Sequence, residues 1–201
     1  MAEQGLRRRR LGCVVALALA ILAVVAVGVT AWHDTMADPV VRRARVVLPG
    51  IPADAGPVTI ALLSDFHTAE PNMPPSRLAR IVEQVNRLHP DVIVLAGDFV
   101  SDPGFGLRPY PIADSIAPLG RLRAPLGVYA VIGNHDFTRN ERTVRQELAH
   151  QRITVLSRYA RQVGPLVMGG LNHPYIGRPR LAATLATMDR LAGGKVLVSH
   201  F

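Results

Sequence analysis

The stretch VYAVIGNHD, residues 128–136, decides the fold of this chain. Its first five residues form a short apolar run of the kind that is buried in a sheet. Its last four residues place a carboxamide, an imidazole and a carboxylate directly after that run. Polar side chains at the end of a buried strand predict a site at the edge of an α/β sheet.

The same arrangement recurs elsewhere in the chain. Three further apolar runs are each followed by such side chains: 58–64 by Asp65-Phe66-His67, 92–96 by Gly97-Asp98, and 195–199 by His200. The carboxyl ends of strands in an α/β sheet meet at one edge, so we expect the four clusters to converge on one crevice.

Helical patterns alternate with the strand patterns. We predict helices over 76–88, 112–122, 138–150 and 179–191, and further strands over 40–47, 154–156 and 166–168. Thr138 and Glu141 fit a capping box that would open the third helix. The alternation predicts an α/β layered domain, with helices packed on a mainly β core.

Carboxylate, carboxamide and imidazole together are typical ligands of divalent cations such as Mn, Fe or Zn. Asp65 and His67 are close enough in sequence to reach one ion, and Asp98 could bridge two ions. Asn134 offers a neutral carbonyl oxygen. His135 beside it is a candidate general acid for a leaving alkoxide.

Each cluster has an ordinary alternative when taken alone. Asp-x-His is more often a loop pair than a metal site, and Gly-Asp after a strand is usually a turn or a helix cap. His200 alone would carry no meaning. The joint pattern, with four clusters each at the end of a buried strand, favours the metal site.

These motifs resemble the calcineurin-like metallophosphoesterase family, in particular a bacterial membrane-anchored subgroup. The stretches LLSDFH, HPDVIVLAGDFV and APLGVYAVIGNHD carry the resemblance, which covers 58–201. It implies a β-sandwich flanked by helices and two divalent metal ions. Asp65, His67 and Asp98 would hold the first ion, and Asp98, Asn134 and His200 the second. His135 would assist the attack of a metal-bound hydroxide on a phosphoester.

The chain departs from the family pattern after His200. The family has a later Gly-His-x-His motif that gives one histidine to each metal, and this sequence ends at Phe201. His33, His89 and His150 are not expected to substitute, and His173 has only a small chance of reaching the site. We therefore expect a C-terminally incomplete fragment with impaired activity.

The N-terminus predicts a membrane anchor. The run 11–32 contains no charged side chain and would span about 33 Å as a helix, which is enough to cross a bilayer. The basic residues 7–10 before it favour a cytoplasmic N-terminus and an extracytoplasmic domain. A cleaved signal peptide and a twin-arginine export signal are the competing interpretations.

Composition narrows the remaining possibilities. The net charge of +8 accompanies only 5% aromatic residues, so no nucleic-acid partner is expected. Cys13 is the only cysteine, which excludes an intrachain disulfide and a cysteine-rich zinc site. We divide the chain into a basic terminus (1–10), the anchor (11–32), a juxtamembrane segment with a first strand (33–57) and the phosphoesterase domain (58–201).

The sequence thus favours a membrane-bound metallophosphoesterase acting on a phosphodiester, a phosphomonoester or a lipid-linked pyrophosphate. The alternative is a catalytically inactive binding protein that keeps the same fold. Retention of Asp65, His67, Asp98, Asn134 and His135 argues against that alternative, because an inactive site has no physical need for them.

Overall fold

The computed structural model describes residues 2–104, 108–156, 160–171 and 181–200. The chain forms two compact units, Met1–Val41 and Arg42–Phe201. The first unit consists mainly of α1 (Ala2–Met36). By length and composition, the part of α1 from Arg10 to Met36 is able to cross a membrane. This agrees with the predicted apolar helix.

The second unit contains the predicted alternation of strands and helices. Its elements are β1 (Ile60–Leu63), β2 (Ala69–Glu70), α2 (Pro75–Asn86), β3 (Val92–Ala96), β4 (Arg108–Pro109), α3 (Ile112–Ile116), a 3₁₀ turn (Ala117–Arg121), β5 (Val128–Val131), α4 (Asn134–His150), β6 (Thr154–Val155), β7 (Ala160–Val163), β8 (Leu166–Leu171), α5 (Leu181–Asp189) and β9 (Gly194–Ser199). The strand β3 has the predicted bounds.

The central sheet is parallel and has the order β1-β3-β5-β6. Its register pairs Ile60 with Val92 and Ile93 with Val128. Parallel neighbours need a crossover connection, and helices supply the connections here. All strands of this sheet therefore end at the same edge.

Residues of β3 alternate between two apolar cores. Ile93 and Leu95 pack with residues of α2, α3 and α4. Val92 and Val94 pack with Met168 and other residues of the second sheet. Successive side chains of a strand point to opposite faces, so a strand that is buried on both sides reads as a continuous apolar run.

The second sheet has the order β7-β8-β9, with β8 and β9 parallel. Helix α5 covers its outer face. A Cβ atom at Gly169 of β8 would lie 2.9 Å from the Thr184 side chain, so the glycine allows close packing of α5 on the strand. The domain is thus a layered α/β fold with two packed sheets and helices on both outer faces.

The predicted strand over 40–47 is wrong. The segment is extended but pairs with no strand in the described part of the chain. Its valines are exposed, and 89% of Val47 is accessible. The pattern that suggested a strand is interrupted by Arg42, Arg43 and Arg45, whose charged groups also remain exposed.

The start of the third predicted helix is also corrected. Helix α4 begins at Asn134, inside the GNHD motif, rather than at Thr138. The Thr138 hydroxyl donates to the Asn134 carbonyl oxygen instead of capping. A break follows at Asn140, whose Oδ1 accepts from the Thr143 N–H and so caps the second part of the helix.

The buried Asp136 carboxylate holds two loops together. Its Oδ2 accepts from the N–H groups of Asp98 (2.8 Å) and Gly133 (3.0 Å). Its Oδ1 accepts from Phe99 (2.7 Å) and Val100 (3.3 Å). One side chain at the start of α4 thereby provides hydrogen-bond acceptors for the backbone N–H groups of the loop after β3.

We predict that Asp136→Asn lowers the free energy of unfolding by about 3–5 kcal/mol, although the two side chains have the same shape. Both carboxylate oxygens accept from amides, so the NH₂ group of asparagine would face N–H donors. Chemical denaturation of the full chain in detergent measures the change. Asp54→Asn, at an exposed position, is the control and should leave stability nearly unchanged. Equal stability of the two variants would contradict the prediction.

Candidate metal centre

The four predicted clusters lie at one edge of the domain. Asp65 and His67 follow β1, Asp98 follows β3, and Asn134 and His135 follow β5. His200 follows β9 of the second sheet and still reaches this edge, where its Nδ1 lies 2.6 Å from the carbonyl oxygen of Ala96 at the end of β3. The structure therefore brings all six predicted site residues together.

Three of these residues have left-handed backbone conformations. The φ angles are 58° at Asp65, 44° at His67 and 57° at Asp98. Non-glycine residues rarely adopt this region, and such backbone strain concentrates at functional sites. The loops hold one another in place, since the N–H of Asp65 donates to Gly97 and that of His67 donates to the Asp98 carbonyl.

Gly97 and Gly133 allow the two central loops to meet backbone to backbone. A Cβ atom at Gly97 would lie 2.7 Å from the Gly133 nitrogen, and φ at Gly97 is +88°. A Cβ atom at Gly133 would collide with the Asp98 carboxylate. The glycines before Asp98 and before Asn134 are therefore required by the close approach of these loops.

Asp98 lies at the centre of the cluster. Its side chain is only 3% exposed, and its Oδ2 lies 3.4 Å from His67 Nε2 and 3.1 Å from His200 Nε2. Its Oδ1 accepts a hydrogen bond from the backbone N–H of His135. Asp98 belongs to two ligand groups, one with His67 and His135 and one with Asp65 and His200. A carboxylate shared in this way is suited to bridge two ions.

A hydrogen bond holds the His200 ring in place. Nδ1 lies 2.6 Å from the Ala96 carbonyl oxygen, so Nδ1 carries a proton there. Nε2 lies 3.1 Å from Asp98 Oδ2 and 3.2 Å from Asn134 Oδ1. Imidazole nitrogen, carboxylate oxygen and carboxamide oxygen are common ligands of divalent cations. The donor set therefore fits a bound divalent metal ion.

His135 has a partner that the sequence reasoning missed. Its Nδ1 lies 2.8 Å from Asp102 Oδ2. Its ring packs edge to face on His67, with centroids 4.7 Å apart. The Asp102 carboxylate accepts a hydrogen bond from His135 Nδ1–H and so orients the imidazole ring. The only sequence signal for Asp102 is its position in the same loop as Asp98.

The site is strongly acidic. The carboxylates of Asp65, Asp98 and Asp102 lie around the histidines, and Asp65 is exposed at the mouth. The pKa of Asp136 is raised to about 6. Burial is the largest cause and the Asp98 carboxylate adds to it, whereas hydrogen bonds from Gly133 and neighbouring amides act in the opposite direction. The negative charge of the three carboxylates around the histidines favours the binding of a divalent cation and disfavours an anionic ligand when no cation is bound.

The histidines expected to lie outside the site do not join it. His89 follows α2 and His150 is the last residue of α4, so both lie at the opposite edge of the central sheet, and both are exposed. His33 belongs to the N-terminal unit. His173 lies outside the described residues.

Comparison with known proteins agrees with this arrangement. The family model described as calcineurin-like phosphoesterase matches residues 58–185, more than half of the chain. A Caenorhabditis elegans protein named as a metallophosphoesterase is 40% identical over 105 residues, which are 52% of this chain and 20% of that protein. Proteins named transmembrane protein with metallophosphoesterase domain are 33% identical in Bos taurus and 36% identical in Danio rerio, over 60% of this chain and 26% of each relative.

The chain thus spans about a fifth to a quarter of the length of these curated relatives. The matched region contains β1, β3 and β5 together with the clusters that follow them. The family uses divalent metal ions, which agrees with the donor set at Asp98. The chain therefore belongs to the calcineurin-like phosphoesterase family.

Proposed function

We propose that this protein hydrolyses phosphoesters with a centre of two divalent metal ions. The observation that carries the proposal is the buried Asp98 carboxylate, which is shared by two groups of candidate ligands and lies 3.1 Å from His200 Nε2. A buried carboxylate next to imidazole nitrogens is suited to hold a divalent cation.

We assign Asp65, His67 and Asp98 to the first ion, and Asp98, Asn134 and His200 to the second. Mn, Fe and Zn all suit this mixture of oxygen and nitrogen donors. When bound, the two ions supply Lewis acidity toward the phosphoryl oxygens and a nucleophile at neutral pH. The backbone contacts of Gly97 and Asp98 keep these ligands fixed before any substrate enters.

His135 is assigned as the proton donor to the leaving oxygen. Asp102 holds its Nδ1, which leaves Nε2 directed away from that carboxylate. Held in this way, the ring can present a proton at Nε2 to the leaving oxygen. The pair would matter most for leaving groups that are poor as free anions.

The substrate is proposed to be a phosphodiester, a phosphomonoester or a lipid-linked pyrophosphate. The apolar part of α1 supports a substrate at the membrane surface. Fold kinship alone does not choose among these classes.

We also propose an uncleaved single-pass anchor over 11–32, with the N-terminus in the cytoplasm and the domain over 58–201 outside it. The basic residues before the apolar run support this orientation. Membership of a bacterial membrane-anchored subgroup stays a prediction, since the relatives named as transmembrane proteins come from animals.

Asp98→Asn should weaken Mn²⁺ binding by at least about tenfold, because it removes the charge shared by both ions while keeping the side-chain shape. Calorimetry on the full chain measures affinity, and hydrolysis of bis-p-nitrophenyl phosphate measures activity. Asp114→Asn, at an exposed position in α3, is the control. Unchanged Mn²⁺ affinity in Asp98→Asn would refute the metal centre.

The hydrolysis assay has a second arm if the reading frame continues beyond Phe201. A longer product with two more histidine ligands should be more active, because each ion gains a ligand. Tight metal binding without hydrolysis in either product would favour the binding-protein alternative.

Asp102→Asn should lower kcat by about 10–100-fold for diphenyl phosphate and much less for bis-p-nitrophenyl phosphate. Nitrophenolate leaves readily without a proton, whereas phenolate benefits from protonation by His135. Mn²⁺ affinity should stay within about twofold of the parent chain. Equal losses on both substrates would argue against the proton-donor role.

Cys13 provides a test of the anchor. We expect it to be unreactive toward a charged maleimide in intact membranes and reactive in detergent, since the bilayer core excludes the reagent. A Cys13→Ser, Arg161→Cys double variant reports on the domain, because Arg161 is exposed in β7. Labelling of this double variant in intact cells would support the extracytoplasmic orientation of the domain. Labelling only after lysis would instead place the domain in the cytoplasm.

A further inference from the structure

Arg139 lies one helical turn after His135 on α4. Residues four apart in a helix are surface neighbours, with Cβ atoms about 5–6 Å apart. The helix rises about 6 Å over these four residues, so Arg139 lies one turn beyond His135 along the helix axis. Its side chain is half-buried.

No acidic side chain of the described residues pairs with the Arg139 guanidinium. Arg145, on the same helix, pairs with Glu141 through hydrogen bonds from Nε and Nη2. Three acids near His135 are already engaged: Asp98 with the His135 backbone N–H, Asp102 with the imidazole and Asp136 with backbone amides. A half-buried cation without a counter-ion is suited to bind an anionic ligand.

The break in α4 positions this cation. Helical geometry runs from Asn134 to Arg139 and is interrupted at Asn140, which caps the next helical segment through the Thr143 N–H. Arg139 therefore ends the short segment whose first two residues face the metal centre. Its distance from His135 is set by one rigid turn rather than by a loop.

We propose that Arg139 binds a second phosphate on the leaving-group side of the substrate, an inference that rests on the proposed function. His135 is assigned to the leaving oxygen, and Arg139 is the next group along the same helix. Metal ions, when bound, would neutralise the scissile phosphoryl group, whereas a second phosphate beyond His135 would need its own cation. The substrate class is therefore a diphosphate.

The reaction is a hydrolysis. The oxygen of water bonds to the scissile phosphorus, and the bond from that phosphorus to the bridging oxygen breaks. The bridging oxygen leaves with the second phosphate. The two hydrogens of water end one on each monophosphate product, so no oxidant or other co-reactant is needed.

Binding of AMP and ADP to the full chain in detergent, with Mn²⁺ in excess over nucleotide, tests this role. The two probes differ by one phosphate. Arg139→Gln should weaken ADP binding by about tenfold or more and leave AMP binding within about twofold, as expected for loss of a charge-assisted hydrogen bond. Arg139→Lys should restore part of the ADP affinity.

Arg142→Gln is the matched control, because Arg142 is exposed on the same helix and has no ion pair among the described residues. It should change neither affinity. Equal weakening of AMP and ADP by Arg139→Gln would assign Arg139 to the scissile phosphate and overturn the proposal. Unchanged ADP binding would overturn it as well.

Asp98→Asn separates this inference from the proposed function. ADP binding that survives Asp98→Asn but falls in Arg139→Gln supports the Arg139 role and rejects the metal centre. Loss of ADP binding in Asp98→Asn, with no change in Arg139→Gln, supports the metal centre and rejects the Arg139 role. Failure of the parent chain to bind either nucleotide would overturn both.

Discussion

The site depends on one buried carboxylate. Asp136 accepts hydrogen bonds from four backbone amides, three in the loop after β3 and one at Gly133. Buried amides without partners are costly, so this side chain determines how the two loops can fold. With the loops joined, the Asp98 backbone has only one position, and its carboxylate lies beside the start of α4. The positions of the side chains in the candidate metal centre follow from these four hydrogen bonds.

The parallel sheet provides the second constraint. Strands β1, β3 and β5 end at one edge because helices return the chain to the other edge each time. His200 comes from a different sheet, and its Nδ1–H bond to the Ala96 carbonyl joins that sheet to the central one. The candidate ligands are therefore attached to buried strands on both sides of a core, so they would need little reorganisation to receive ions.

Sequence patterns predicted those elements whose signals are local. The bounds of β3 were correct because a strand buried on both faces is apolar throughout. The start of α4 was missed, since its first residues serve the site and Gly133 offers no capping side chain. The strand over 40–47 was wrong because strand formation requires a partner, which a pattern within one segment does not reveal.

The sequence by itself determined which metal-type side chains follow the strands and in what order, because a short motif after each strand specifies both the backbone turn and the side chain. Asp65, His67, Asp98, Asn134 and His200 were placed at one edge of the fold in this way, and their role as ligands stays a prediction. Only the tertiary structure decided the pairing of His135 with Asp102 and the hydrogen bond from His200 Nδ1 to the Ala96 carbonyl oxygen. The first contact joins residues that are 33 positions apart in the sequence, and the second joins residues that are 104 positions apart. Such contacts exist only after the strands have packed.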